Sequence, residues 1–274
     1  MMSTLYEAAT VSSATGSVGN TPLVPIFLVI DNSCREIYLK LEGANPSGSM
    51  KDRTGYSLLQ DLRERGRLGA DSVIIESTSG NLGIALATLC RQDNLRFIAV
   101  VDPKTTVENL HRLEALGAQI DMVREPDSTG GYLLSRLARI KTLCDHHPDY
   151  IWTNQYANPA NPLVHYQTTG PEIYHQMQGY VEAVFVPAST GGTLAGIGRY
   201  LREVCPETKI IGVDASGSVI FGGPAARRLL TGIGSSVRST FLTRNLYDTH
   251  MLIRDEEAFA FCRAVYAATG LLVG

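Results

Sequence analysis

The sequence predicts an α/β protein with two mainly parallel sheets flanked by helices. Three observations carry this. Short apolar, β-branched runs alternate with amphipathic stretches along most of the chain. Gly or Pro clusters punctuate the joins. Two of the apolar runs open directly into polar glycine loops that feed helices, as open α/β sheets do where they bind ligands.

The expected strands are 37–41, 73–76, 97–101, 120–123, 183–186, 210–213 and 251–253, and the helix-like patterns are 57–65, 82–91, 106–116, 133–145 and 194–204. They fall into two groups, about 43–150 and 151 to the end, with no low-complexity linker between them. Two lobes in close contact follow. The first residues, to about Gly16, are polar and poor in pattern. They read equally as a disordered tail or as an arm packed on a neighbour.

Composition excludes several classes. A net charge of −3 offers no electrostatic case for nucleic acid or an acidic membrane surface. Five cysteines, odd in number and never in a CxxC pair, argue against a disulfide framework or a zinc site. Reduced, mostly buried thiols in a cytoplasm are the expectation. No apolar run is long enough to span a bilayer. The histidines lack metal-ligand spacing and read as surface or structural residues.

Three segments carry chemistry. In the first, Asn45, Pro46 and Gly48 shape a turn that leads to Met50, Lys51, Asp52 and Arg53. This places Lys51 at a helix N-terminus, where positive partial charge disfavours a second positive charge. An amine so held is biased to its neutral form, which can form a Schiff base. By itself Lys51 reads as a solvated lysine. In the second segment, the strand ending at Glu76 runs into Ser77, Thr78, Ser79, Gly80, Asn81, Leu82 and Gly83. Such a loop can hold a carboxylate through N–H and O–H donors, or it is simply a helix N-cap. In the third, the strand 183–186 leads to Ser189, Thr190, Gly191, Gly192 and Thr193 before a helix. This is a nest of N–H groups with added hydroxyls, suited to a phosphate monoester. It lacks the lysine of a P-loop and the GxGxxG of a dinucleotide site.

Taken in order, these segments resemble the cysteine synthase/cystathionine β-synthase family of pyridoxal-phosphate enzymes, of fold type II. Ser17 to Leu23, Asn154 to Asn161, His165 to Glu172 and the turn Gly232, Ile233, Gly234 match further landmarks. The likeness runs from Ser17 to the end of the chain. It implies a smaller substrate-binding lobe of residues 43–150 and a larger phosphate-binding lobe of 1–42 with 151–274. It also implies pyridoxal phosphate as cofactor, amino-acid substrates and a homodimer. Lys51 would carry the cofactor and move the α-proton. Asn81 would bond the ring hydroxyl, and Thr78, Ser79 and Gln155 would hold the substrate carboxylate. Ser189, Thr190, Gly191, Gly192 and Thr193 would bind the cofactor phosphate.

Within the family, the chain is similar to a siderophore-associated branch that joins O-phosphoserine to glutamate on the way to diaminopropionate. The segments around Leu82, 101–104, 125–133, 154–158 and 213–222 carry that likeness. Tyr156 and Ser189 stand where an ordinary cysteine synthase more often has Phe and Gly. Those two residues and Arg136 are the candidates for holding the more anionic substrates, since Arg suits bidentate anion binding. Without the resemblance, Arg136 reads as a solvated helix-face residue. Two alternatives stay open: a cysteine synthase or cystathionine-forming enzyme, and an inactive cofactor-binding fragment or interaction subunit. The second arises because the family continues beyond residue 274 into a glycine-serine turn, whose serine faces the pyridine nitrogen, and a closing helix. A chain ending at Gly274 would leave apolar surface on the larger lobe uncovered.

Overall fold

The computed structural model describes residues 17–30, 32–127 and 130–273, with Ile30 described by its backbone alone. The expectation for the tail to Gly16 lies outside the described residues. The chain begins with an antiparallel hairpin of β1 (Leu23–Ile30) and β2 (Ser33–Lys40), followed by α1 (Lys51–Glu64). Strands β3 (Val73–Ser77), β4 (Arg96–Val101), β5 (Gln119–Met122) and β6 (Tyr150–Trp152) form a parallel sheet in the order β5-β4-β3-β6. Helices α2 (Asn81–Gln92), α3 (Val107–Ala115) and α4 (Leu133–His146) connect them.

After β6 come α5 (Ala160–Val164), a π-helical turn (His165–Thr169) and α6 (Gly170–Gln176). A second parallel sheet follows, in the order β7-β8-β9, from β7 (Ala183–Pro187), β8 (Lys209–Ala215) and β9 (Thr249–Ile253). Helix α7 (Gly192–Val204) links β7 to β8, and α8 (Asp255–Thr269) follows β9.

Period-2 alternation places the cores. In β3, Ile74 packs with Leu58, Leu59 and Leu62 of α1 and Leu82 and Leu86 of α2, while Val73 and Ile75 join Ile98, Val100 and Ile140. The second sheet buries Val186 and Ile210 against Leu194, Ile197 and Leu201 of α7 and Ile173 of α6. Each such buried aliphatic side chain contributes about 1.5–3 kcal/mol. Phe185, between Val184 and Val186, is 61% exposed.

Several expectations are corrected. Helix α1 starts at Lys51, the helix N-terminus expected for that lysine, and so begins earlier than the helix-like pattern at 57–65: Asp52 Oδ2 accepts the Ser47 N–H at 3.0 Å and Ser49 Oγ accepts the Lys51 N–H at 3.2 Å. Those bonds use the turn itself as the first helical turn. Strand β6 is three residues long, too short to show a period, and it extends the first sheet past residue 150. Neither β1 nor α8 is among the expected elements. Pro25 argues against a strand, yet a two-stranded ribbon tolerates it. Helix α8 buries only Val265 and leaves Phe259, Phe261 and Tyr266 exposed, so its apolar residues are spread round the helix and not gathered on one buried face. The thiols are all free, but they are not mostly buried: Cys90 is buried, Cys34 is exposed and the other three are intermediate. No described helix is long and apolar enough to cross a membrane. Among the described residues, no group of three or more His, Cys, Asp or Glu could hold a metal ion.

Candidate active site

Lys51 is the first residue of α1. Desolvation lowers its ammonium from 10.5 to about 8, so a sizeable neutral fraction exists near neutral pH. Met50, just before it, brings Sδ within 3.2 Å of Thr193 Oγ1 in the loop after β7. The lysine turn and that loop therefore meet.

The loop after β3 is capped from within. Thr78 is buried, and its Oγ1 accepts the Gly83 N–H at 2.8 Å. A Cβ at Gly83 would stand 3.0 Å from Thr78 Cγ2, so glycine lets the loop fold tightly onto α2. The helix N-cap is Gly80, with no side-chain cap bond of its own. Ser79 is half-buried, and Asn81 is exposed at the first position of α2. From α3, Asn109 Nδ2 donates to Ser79 O at 3.0 Å. Gln155 is buried, and its Nε2 donates to Ser77 O at 3.0 Å. Gln155 thus lies against the loop that holds Thr78 and Ser79.

The loop after β7 is a concave nest at the start of α7. Gly191 is its N-cap in the left-handed region at φ 88. A Cβ there would stand 2.1 Å from Ser239 Oγ, and one at Gly192 would stand 2.2 Å from Asn161 Oδ1. Thr190 Oγ1 accepts the Gly192 N–H at 3.3 Å and the Asn161 Nδ2–H at 3.0 Å. Ser189 Oγ donates to Gly234 O at 3.4 Å, and Gly234 N–H donates to Ala188 O at 2.8 Å. The expected turn at 232–234 thus closes one side of the nest. Hydroxyls and the positive end of a helix dipole suit a phosphate dianion. Gly192→Ala is expected to weaken pyridoxal phosphate affinity by about tenfold or more, because overpacking costs about 1–3 kcal/mol. Fluorescence titration of the apoprotein checks this.

Two buried residues that the sequence reading left without a role join these loops. Asn161 is 1% exposed; its Nδ2 donates to Gln155 O at 2.8 Å as well as to Thr190 Oγ1. His165 is fully buried, with Nε2 3.2 Å from Thr193 Oγ1 and 3.4 Å from Thr54 Oγ1, and Nδ1 2.9 Å from Thr169 Oγ1. Burial, then the charges of Lys51 and Arg53, hold its imidazole well below the ordinary 6.5. It is a neutral support behind the nest. A buried amide or imidazole inside a landmark segment is the only signal the sequence offered.

Arg136 is not a solvated helix-face residue: it is 8% exposed. Its Nη1 lies 3.3 Å from Asp102 Oδ2, just past the end of β4. Neither Nε nor Nη1 has a hydrogen-bond partner, although both are buried. Burial pushes the Tyr156 phenol up to about 12, while nearby Arg136 pulls the other way. Tyr156 O accepts the Thr240 hydroxyl at 2.6 Å. A buried guanidinium with unused donors is the chemistry of an anion subsite.

Comparison with known proteins agrees with this arrangement. A family model described as pyridoxal-phosphate dependent enzyme matches residues 14–274. An N-(2-amino-2-carboxyethyl)-L-glutamate synthase from Cupriavidus metallidurans is 42% identical over 258 residues, covering 94% of this chain and 76% of the relative. The structure of an O-acetylserine dependent cystathionine β-synthase from Helicobacter pylori superposes with a TM-score of 0.84 at 34% identity, covering 94% of this chain and 83% of that one. A hydrogen sulfide-producing enzyme from Fusobacterium nucleatum gives 0.86 at 31% identity, covering 94% and 85%. With a lysine at the head of α1 and polar glycine loops after β3 and β7, this chain belongs to the pyridoxal-phosphate dependent enzymes and is a β-replacement enzyme of the cysteine synthase-like, fold type II kind.

Proposed function

We propose that the chain joins O-phospho-L-serine to L-glutamate, giving N-(2-amino-2-carboxyethyl)-L-glutamate and phosphate, as a cytoplasmic homodimer. The observation that carries the substrate choice is Arg136, a buried guanidinium whose Nε has no hydrogen-bond partner and whose Nη1 meets Asp102 only as an ion pair. An acetyl leaving group would not need it. A phosphate ester or a dicarboxylate would. The name of the Cupriavidus relative supports the same reading.

The residues present fit pyridoxal phosphate: an amine of lowered basicity, and a glycine nest with hydroxyls at the N-terminus of a 13-residue helix. In this reading Lys51 would hold the cofactor, Asn81 would bond its ring hydroxyl, and Ser189 to Thr193 would bind its phosphate. When bound, the cofactor supplies the electron sink that acidifies the α-proton and lets the β-substituent leave. Thr78, Ser79 and Gln155 grip the α-carboxylate. Lys51 takes the α-proton and later returns it. The Cβ–O bond to phosphate breaks and a Cβ–N bond to glutamate forms, with the glutamate amine losing a proton. The lobe around the first sheet closes over the site and keeps water out.

Incubation with O-phosphoserine and glutamate, followed by mass spectrometry, tests the proposal. The coupled product and one equivalent of phosphate are expected. Cysteine from O-acetylserine and sulfide, with no coupled product, overturns it in favour of cysteine synthesis. Sedimentation equilibrium tests the homodimer. Arg136→Met is expected to raise KM for O-phosphoserine by roughly 10- to 100-fold, since hydrogen bonds to charged groups are worth about 1.5–3 kcal/mol. Cofactor affinity should not change, and equal losses with O-acetylserine would remove Arg136 from the subsite.

A further inference from the structure

Glu76 is a carboxylate that the chemistry above does not use. It is the penultimate residue of β3 and is 0% exposed, in a strand whose other members are Val73, Ile74, Ile75 and Ser77. Its Oε1 accepts the Ser77 N–H at 2.8 Å and the Trp152 indole N–H at 3.1 Å. Its Oε2 accepts the Thr153 hydroxyl at 2.5 Å and the Gln155 N–H at 3.0 Å. None of these four partners is a cation. Burial raises its carboxyl above the ordinary value, against the pull of Thr153, Gln155, Trp152 and Ser77. The ladder between β3 and β6 would pair the strands without it. A buried polar group satisfied so completely selects one arrangement over its neighbours.

What it selects is the spacing between two strand ends. Beyond Ser77 lie Thr78 and Ser79. Beyond β6 lies Gln155, whose backbone is bound by Glu76 and whose side chain is bound by Ser77 O. Gln155 O in turn accepts from Asn161, which reaches Thr190 in the phosphate nest. We propose that Glu76 is a positioning residue for the amino-acid substrate, clipping the Thr78–Ser79 loop to Gln155 at the one separation that grips an α-carboxylate. It acts through Gln155 and does not touch the substrate. The inference rests on the carboxylate role proposed above for Thr78, Ser79 and Gln155.

In Glu76→Gln, an amide NH2 replaces one oxygen and faces both of its donors, and since only the Thr153 hydroxyl can turn to accept, at least one clip bond is lost. The experiment compares O-phosphoserine with its α-carboxamide on the cofactor-loaded protein, by calorimetry and by cofactor absorbance. The wild type is expected to prefer the free acid, and the variant to lose about tenfold or more of that preference. Its cofactor affinity should be retained. Adding Glu76→Gln to Gln155→Ala should remove no further preference. Equal weakening of both ligands, or an undiminished preference, overturns the proposal. Should Glu76→Gln not fold, the same comparison on Thr153→Val, which removes one donor to Oε2, decides with the same two outcomes. A wild type that responds to neither ligand overturns the functional reading and this inference with it. A wild type that prefers the acid while Glu76→Gln does so equally overturns the inference alone.

Discussion

Lys51→Ala is expected to fold and to produce no coupled product above background, a loss of at least about 10³-fold. Positioned proton transfer alone contributes about 10²–10⁴-fold, and the same side chain is proposed to hold the cofactor. The variant should also lose the cofactor absorbance that survives gel filtration in the wild type. The wild type offers a graded version of the test. Desolvation puts the Lys51 ammonium at about 8. The neutral amine that captures an aldehyde therefore grows as pH rises through that value. Covalent uptake of pyridoxal phosphate by the apoprotein should be on the order of tenfold slower at about pH 6.5 than at about pH 8.5. Uptake independent of pH across that interval, or by Lys51→Ala, would move the attachment point elsewhere.

Arg53→Met is expected to cost about 3–5 kcal/mol of stability, the range for breaking a buried ion pair by removing one partner. Arg53 is 1% exposed and donates to Glu42 at 2.8 Å and to Glu172 at 2.6 Å. Lys40 meets Glu172 at 2.7 Å, and Arg53 also donates to Thr21 Oγ1 at 3.1 Å. Without the guanidinium, two carboxylates remain in a largely enclosed site with Lys40 beside one of them. At about 2–4 °C per kcal/mol, the melting temperature should fall by roughly 10 °C. The pH dependence carries the sign. Burial alone would raise the Glu172 carboxyl, but Arg53 and Lys40 outweigh it and hold it at about 2, below the ordinary 4.5. A depressed carboxyl stabilises the fold above its unfolded value, and that stabilisation is lost as pH falls toward the folded one. The gap between wild type and Arg53→Met should therefore be widest near neutrality and narrow below about pH 4.5. A gap that does not change with pH would mean that Arg53 acts through packing, not charge.

The parts of the molecule legible in the sequence are those that local pattern encodes. Strands β3 and β4, buried on both faces, read as β-branched runs, so the expected 73–76 and 97–101 lie within one residue of the observed strand ends, and the apolar run 183–186 does so too although β7 leaves Phe185 exposed. The expectation for 210–213 lies within two residues of its strand. The positions of the loops holding Thr78, Ser79 and Asn81, and Ser189 to Thr193, were legible because each follows an apolar run that ends in Gly and hydroxyl residues before a helix. Lys51 was legible because its turn carries its own Gly, Pro and Asp.

What the sequence by itself determined, then, is the α/β class, the places of the two polar loops and the lysine at the head of a helix. Tertiary structure alone decided the rest. It buried Arg136 against Asp102, on a helix whose pattern suggested a solvated face. It joined Arg53 to Glu172 across 119 residues, Glu76 to Gln155 across 79 and Asn161 to Thr190 across 29. No helical or strand period reaches that far. These are polar groups taken out of water, and each is tolerable only where distant chain brings a partner. Their roles therefore follow from which surfaces meet, a consequence of how the apolar faces pack and not of any residue's near neighbours.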